Sequence, residues 1–397
     1  MSKNAEKLKV HDNRPRRAAE RSPKGSLLAV AQWPLGGIRT YMRYVYKHLS
    51  ADFRITIVAS STSEDAALVE DAREVGANLV IHGGGGRTPL MAAVFKELLN
   101  GKHDFIQSHG FISAAHCYAA NIAFRVPHVL TVHGILEEKY FKGRLAGLKR
   151  AALSRVIRGS DVVYGVSADI LAHLEELVPG LKRAGCRKVV IHNGIEAGMF
   201  RALNDDGDFR KSLGVRSGQF LFGFLGRFMQ QKGFNYLIDA ACELERGKAA
   251  DFKILAVGSG DYHDWYRRQV SEKGLDDRFI FIPFQRDLSA VYSAIDAVVM
   301  PSVWEASGLL AMESLCHGKP LVASDCIGLR ETVRGTPALV FESGNAKALS
   351  ERMRSLLERP MKDTFRDFRP KAKQMYDVRK TAQSLGELLK GLSKSGK

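Results

Sequence analysis

Two carboxylates, Glu305 and Glu313, stand in the segment Met300-Pro-Ser-Val-Trp-Glu-Ala-Ser-Gly-Leu-Leu-Ala-Met-Glu-Ser-Leu315. The apolar run Ala297–Pro301 reads as a strand and a helix is expected from about Gly308. Glu305 then lies in a loop and Glu313 on the helix's second turn. The amides of Gly308, Leu309 and Leu310, just after Ser307, form the helix amino terminus. Unpaired N–H donors and the positive dipole end suit a phosphate there. One carboxylate can reach a sugar while the other takes hydroxyls further along the same ligand. Taken alone, the pair is equally compatible with a solvated loop and helix face.

Cations stand at another strand end. Gly226 closes the run Phe220–Leu225 and leads into Arg227-Phe-Met-Gln-Gln-Lys232-Gly233. Arginine offers a fork of donors to phosphate oxygens and lysine a point charge, which suits a diphosphate held without a metal. Earlier in the chain, Gly36-Gly37 separates a strand from a helix, where a bare backbone lets a ligand approach. His109 and His133 each end a strand and point toward one crevice. Several patterns lead nowhere. Gly83–Gly86 with Arg87 lacks the Gly-Lys-Ser/Thr ending of a phosphate loop, and Gly258-Ser259-Gly260 lacks the third glycine of a dinucleotide site. His103, His116, His263 and His317 form no metal cluster, and no Gly-x-Ser-x-Gly elbow occurs.

These residues need elements to hold them. From Gly25, continuous apolar runs (26–32, 53–60, 79–82, 105–109, 128–133, 162–167, 189–192) alternate with helical patterns (38–49, 64–75, 89–99, 114–124, 145–158). A second series (220–225, 253–257, 279–283, 297–301, 321–323, 338–341) follows a polar, turn-rich stretch, 193–219. Apolar strands between helices mean an α/β fold of parallel sheets covered on both faces. The expected domains are a basic tail 1–24, a first Rossmann-like domain 25–196, a second 197–375, and a terminal helix 376–397 returning to the first.

Composition narrows the function classes. The chain has 397 residues, 45% hydrophobic and 26% charged, which is ordinary for a globular protein. No apolar run approaches a membrane span, and the first, Leu27–Ala31, is too short for a signal peptide. Five scattered cysteines without a Cys-x-x-Cys pair suit the cytoplasm. The net charge of +16 sits at the ends: residues 1–24 hold eight Lys/Arg against three acids, and residues 351–397 thirteen against six. Arg144, Arg155 and Arg158 share one expected helix face. Such charge suits an anionic membrane surface. Nucleic acid is not expected, since no zinc-finger spacing or RNA-binding aromatic motif occurs.

Taken together, Gly36-Gly37-Ile38, Thr131-Val132-His133-Gly134, Asn193-Gly194-Ile195-Glu196, Gly226-Arg227-Phe228 to Lys232-Gly233, Gly258-Ser259-Gly260, Pro301-Ser302 and Glu305/Glu313 follow one order and spacing. The chain from about residue 25 resembles the retaining family-4, or group-1, glycosyltransferases of the GT-B fold. That resemblance implies two facing Rossmann-like domains with a cleft between them. It also implies transfer of a sugar from a nucleoside-diphosphate donor to a glycan or lipid-linked acceptor, as in polysaccharide biosynthesis. Glu305 and His133 become the catalytic residues. Arg227 and Lys232 grip the diphosphate, Glu313 the ribose, Ser307, Gly308 and Leu309 the phosphate oxygens, and Phe284 the base. Gly37 and Gly258 line the donor site, and His109 and Gly36 the acceptor side. No cofactor and no metal are implied, and the enzyme would sit peripherally at the inner leaflet. Ala306-Ser307 depart from the family's usual Gly-Phe, which removes an aromatic from beneath the loop. The alternatives are a sugar-nucleotide epimerase or a catalytically silent GT-B binding subunit.

Overall fold

Gly-Ser-Leu-Leu-Ala-Val-Ala, residues 25–31, is buried along nearly its whole length. A strand flanked by helices on both faces has no polar side to show. The computed structural model describes residues 9–10, 23–83, 87–178, 180–200, 207–247 and 251–395. The chain divides into two compact units, Met1–Gly194 with Val378–Lys397, and Ile195–Asp377.

The first unit contains β1 (Lys9–Val10), β2 (Gly25–Ala31), β3 (Phe53–Ser60), β4 (Asn78–His82), β5 (Phe105–His109), β6 (His128–Val132), β7 (Val162–Gly165) and β8 (Arg187–Val190). Their spatial order is β1-β4-β3-β2-β5-β6-β7-β8. All pair in parallel except β1, which runs antiparallel to β4. The second unit contains β9 (Phe220–Leu225), β10 (Phe252–Val257), β11 (Phe279–Ile282), β12 (Ala297–Met300), β13 (Leu321–Ser324) and β14 (Leu339–Phe341). Their order is β11-β10-β9-β12-β13-β14, all parallel. In each sheet the order reverses beside the unit's first long strand: between β2 and β5, and between β9 and β12. Loops at such a switch point diverge and leave a crevice beyond the carboxyl ends of the strands.

An aromatic cluster fills the second unit. Phe228 is fully buried and packs on Phe224, Phe234 and Phe281 with ring centroids 5.2–5.9 Å away. In the first unit Leu28, Val30, Val58 and Ile106 pack under Leu90 and Val94. The last helix, Val378–Ser395, belongs to this unit. Thr381 Oγ1 donates to the His192 carbonyl at 2.8 Å, and Asp52 joins Lys390 and Lys24 at 3.0 and 2.7 Å.

Some elements differ from the sequence expectation. A helix at Ala168–Leu177 was not anticipated; Ser167 Oγ caps it by accepting from the Ile170 amide at 3.3 Å. The helix expected at 114–124 occupies Phe111–Asn121 and starts directly after Gly110. β8 begins two residues earlier than the apolar run suggested and is half-exposed. Arg144 lies outside the helix that carries Arg155 and Arg158, because that helix spans Ala146–Arg158 after a turn at Gly143. Within the expected linker 193–219, residues 207–212 form a short helix. Gly84–Gly86 and most of the tail 1–24 lie outside the described residues.

Candidate functional site

In the second unit, β9 and β12 end side by side and send their loops from the switch point. Met300 ends β12, and the chain turns at Pro301 so that Glu305 lies in a loop, mostly buried at 8% exposure. Its Oε1 accepts from Lys232 Nζ at 2.7 Å and from Ser302 Oγ at 2.8 Å. Lys232 reaches it from the turn after β9, and Val303 N donates to the Gln231 carbonyl at 2.8 Å, tying the two loops together. An ammonium has three donors. One is directed at Glu305, and two remain for another anion.

Two glycines make this approach feasible. Gly233 has φ 65°, and a Cβ there would lie 1.9 Å from the Pro301 carbonyl oxygen. Gly328 has φ 77°, and a Cβ would lie 2.2 Å from the Glu305 carbonyl oxygen. The Glu305 amide donates to the Ile327 carbonyl at 3.0 Å. Thr332 Oγ1 donates to the Ser307 carbonyl at 2.7 Å, and Tyr376 Oη to the Thr332 carbonyl at 2.8 Å. The Ala306-Ser307 loop therefore rests on backbone and hydroxyl contacts.

The helix Leu309–His317 follows with Gly308 as its cap residue and no side-chain cap. Its first amides are thus not taken by a capping side chain. Ser307 is buried, Leu309 opens the helix, and Glu313 sits partly exposed on its second turn. Arg227 is exposed and has no side-chain hydrogen bond or ion pair among the described residues. Gly258 packs its α-carbon against the Gly226 carbonyl, so it joins the two loops rather than lying bare. Phe284, 66% exposed, follows β11 at the sheet's edge. β11 lies three strand spacings from β12, or about 14 Å. Among the described residues no three His, Cys, Asp or Glu side chains converge on a metal position.

The first unit builds a different constellation at its own switch point. His109 ends β5 and His133 follows β6, the adjacent strand. Their rings stack at 5.1 Å, with His109 Nδ1 and His133 Nε2 2.8 Å apart. Tyr46 Oη donates to Gln107 Oε1 at 2.9 Å, and its oxygen lies 2.6 Å from His109 Nε2. That oxygen therefore accepts from His109 Nε2–H. His109 Nδ1 is then the acceptor for His133 Nε2–H, and His133 keeps a bare Nδ1. Gln107 Nε2 donates onward to Thr131 Oγ1 at 2.8 Å, and Tyr41 packs its ring edge-on to both histidines. Burial pushes His133 down to about 3. Burial also holds His109 well below the ordinary histidine range, with His133 adding to it. Both imidazoles are neutral at pH 7. Across the switch point, Gly36 and Gly37 follow β2, and a Cβ on either would meet no atom within 4 Å.

The structure thus brings Lys232 and Glu305 together, and separately His109 and His133. Ser302, Tyr46, Gln107 and Gly328 carried no expected role. Gln107 had a legible signal, a lone amide inside the apolar strand 105–109. Gly328 had none, because its partner lies in a different loop.

Residues 35–198 match the family described as Glycosyltransferase Family 4, and residues 205–375 match Glycosyl transferases group 1. An uncharacterized glycosyltransferase of Methanocaldococcus jannaschii is 30% identical over 246 residues, covering 59% of this chain and 60% of the relative. The chain therefore spans less than two thirds of that relative's length. A D-inositol 3-phosphate glycosyltransferase of Salinispora arenicola is 28% identical over 379 residues, 87% of this chain and 84% of the relative. Among solved structures, HepE of Anabaena, in complex with UDP and glucose, has a TM-score of 0.78 at 21% identity. That match covers 92% of this chain and all of HepE.

Proposed function

Because the chain belongs to the group-1, family-4 glycosyltransferases and has the GT-B fold, we propose that it moves a sugar from a nucleoside diphosphate to a glycan or lipid-linked acceptor with retention of anomeric configuration. The observation that carries this reading is the Lys232–Glu305–Ser302 cluster beside the uncapped helix start at Gly308. In the proposed complex the diphosphate lies between Arg227, the remaining Lys232 donors and the amides of Gly308–Leu310. Fixed cations and amides neutralise the leaving group where other enzymes use a metal. The separation of about 14 Å between the edge strand and β12 gives room for a base at Phe284. Glu313 takes the ribose between that base and a sugar held by Glu305.

Transfer proceeds on one face. The acceptor oxygen attacks the anomeric carbon from the side the diphosphate leaves, and its proton passes to the departing phosphate oxygen. The bare His133 Nδ1 is an acceptor for a sugar hydroxyl. A neutral imidazole does this without opposing the positive charge that develops on the ring.

The acceptor is proposed to lie at an anionic membrane. No described helix is long and apolar enough to cross one. Tyr140, Leu145 and Leu148 are nonetheless exposed among the cations Lys142, Arg144 and Lys149. Apolar side chains ringed by cations suit a headgroup boundary.

The deciding experiment incubates the protein with a panel of UDP-, ADP-, GDP- and dTDP-sugars, with UDP-glucose first. Proton NMR follows donor hydrolysis and the anomer released. Turnover of one donor with retention, surviving EDTA, supports the reading. Inversion or strict dependence on Mg²⁺ or Mn²⁺ refutes the mechanism. No turnover of any donor leaves a silent binding subunit.

A further inference from the structure

We infer that the first unit carries a second ligand site, an arginine-lined groove for a phosphate-bearing molecule, remote from the switch-point residues. The groove encloses about 720 Å³ and is lined by Arg150, Arg155 and Arg158 of the helix Ala146–Arg158, by Arg183, and by Tyr118. That volume lies within the usual range of small-molecule sites.

Its construction follows from helix spacing. Gly147, Ala151 and Ser154 recur three and four residues apart and form one stripe that faces the groove with little side-chain bulk. Arg150 and Arg155 flank that stripe, and Arg158 continues it at the helix's carboxyl end. Arg150 is positioned by stacking its guanidinium over the Phe141 ring at 4.8 Å. Arg183, Ala184 and Gly185 line the groove from outside the helix. Tyr118 packs against Gly159.

Charge identifies the ligand class. No carboxylate lines the groove, and among the described residues none of the four guanidiniums has an ion-pair partner. Two arginines on the first helix of the same unit are paired, Arg39 with Glu64 at 3.2 Å and Arg43 with Asp71 at 3.8 Å; what sets the groove apart is that four unpaired guanidiniums share one concavity. Four uncompensated forks in one concavity call for a multiply charged oxyanion, and guanidinium geometry matches phosphate oxygens two at a time. A phosphomonoester or diphosphate carries enough charge where a single carboxylate does not.

Position separates the groove from the transfer site. Arg155 and Arg158 end a helix that leads into the start of β7, and Arg183 precedes the start of β8. These are the amino-terminal ends of parallel strands. His109 and His133 stand at the carboxyl ends of β5 and β6 in the same sheet. The inference holds whether or not the donor-site reading does.

Isothermal titration calorimetry of the full chain tests it, with inorganic pyrophosphate as the soluble probe and dihexanoyl phosphatidic acid as the headgroup probe. Each arginine removed should weaken a charged contact by about tenfold to a hundredfold. Arg155→Gln/Arg158→Gln/Arg183→Gln should therefore abolish binding at this site, while Arg227→Ala leaves it in place. The arginine-to-lysine triple variant should retain partial affinity, since it keeps charge without the fork. Pyrophosphate binding that responds to the triple variant supports a soluble phosphate ligand. Response with the lipid probe alone supports a headgroup. Binding of neither probe, or binding unchanged in the glutamine variant with an unaltered melting temperature, overturns the inference.

Discussion

The two switch points solve opposite electrostatic problems. In the second unit a mostly buried carboxylate, Glu305, is partnered by Lys232 and Ser302, both at hydrogen-bond distance. In the first unit two imidazoles are kept uncharged by burial and locked in one tautomer by Tyr46 and Gln107. Enforced neutrality costs stability as soon as the unfolded histidine begins to bind protons. The same α/β frame thus supports one site that depends on ion pairing and one that depends on dryness.

The largest effect should come from breaking the paired charge. Glu305→Gln keeps the shape but leaves Lys232 without its carboxylate. A charged hydrogen bond is worth up to about 3 kcal/mol, so kcat should fall about a hundredfold or more. Affinity for nucleoside diphosphate should stay within a few-fold, because Glu305 lies at the sugar end of the proposed pose. Wild-type turnover in that variant would remove Glu305 from the mechanism.

Acid separates the two units next. His109 and His128 are 3% and 2% exposed, and burial holds His109 well down and His128 at about 4. Each is neutral when folded but binds a proton near pH 6.5 when unfolded. Their contribution is complete above that value and falls as pH drops, by about 1.4 kcal/mol per unit for each histidine. Between pH 6.5 and 5 His128 alone should cost the first unit about 1.6 kcal/mol, and His109 adds to that loss. In the second unit burial pushes Asp296 up, yet the Lys362 hydrogen bond, the Leu221 amide and Arg210 together hold it below the ordinary carboxylate value. That contribution is lost only as pH falls below about 4. The second unit holds one comparable imidazole, His317, pushed down to about 4 by burial and by the cations Lys319, Arg369 and Lys373, so over this range it loses less than the first unit, which holds both His109 and His128. Hydrogen exchange at pH 7 and 5, corrected for intrinsic rates, should show the first unit opening first. Equal loss of protection in both units would contradict the contrast.

How far the sequence foretells this depends on the kind of interaction. β3, β5 and β9 coincide with their expected runs because strands covered on both faces are mostly apolar, and the buried polar side chains of β5 are hydrogen-bonded in place. The start near Gly308 was legible for the same local reason. β8 was displaced because its residues are half-exposed and carry little pattern. The charged residues of the loops after β9 and β12 were recognisable by type and strand-end position. That Lys232 meets Glu305 was not, because the contact depends on Gly233 and Gly328 admitting backbone from other loops. The histidine pair was expected to share a crevice, but its tautomers follow from Tyr46, a helix residue with no local signal.

A smaller effect probes the proposed nucleoside end of the second unit's site. Glu313→Ala removes a carboxylate from the helix's second turn. If it holds ribose hydroxyls, donor KM should rise about tenfold to a hundredfold with little change in kcat. The nucleoside alone should lose as much affinity as the diphosphate. Arg227→Ala should instead weaken the diphosphate and spare the nucleoside. An unchanged KM in Glu313→Ala would make it a helix-face residue.

The smallest effect tests the neutral relay itself. Tyr46→Phe removes one oxygen from a buried chain and leaves the ring in place. His109 Nε2–H loses its acceptor, and Gln107 Oε1 loses its donor. Leaving buried groups unsatisfied costs about 1–3 kcal/mol in stability, which denaturant titration would register. The consequence for chemistry is narrower. Without Tyr46 to accept from Nε2, His109 can move its proton to Nδ1 and donate to His133, whose Nε2 then becomes the acceptor and Nδ1 the donor. His133 would present a donor where the intact relay presents an acceptor. If a sugar hydroxyl meets that nitrogen, Tyr46→Phe should lower kcat/KM by about 1 kcal/mol, or roughly fivefold. A deoxy donor lacking that hydroxyl should be almost insensitive to the change. Equal losses with both donors would mean that Tyr46 only stabilises the fold, and the relay would have no part in presenting His133 to the sugar.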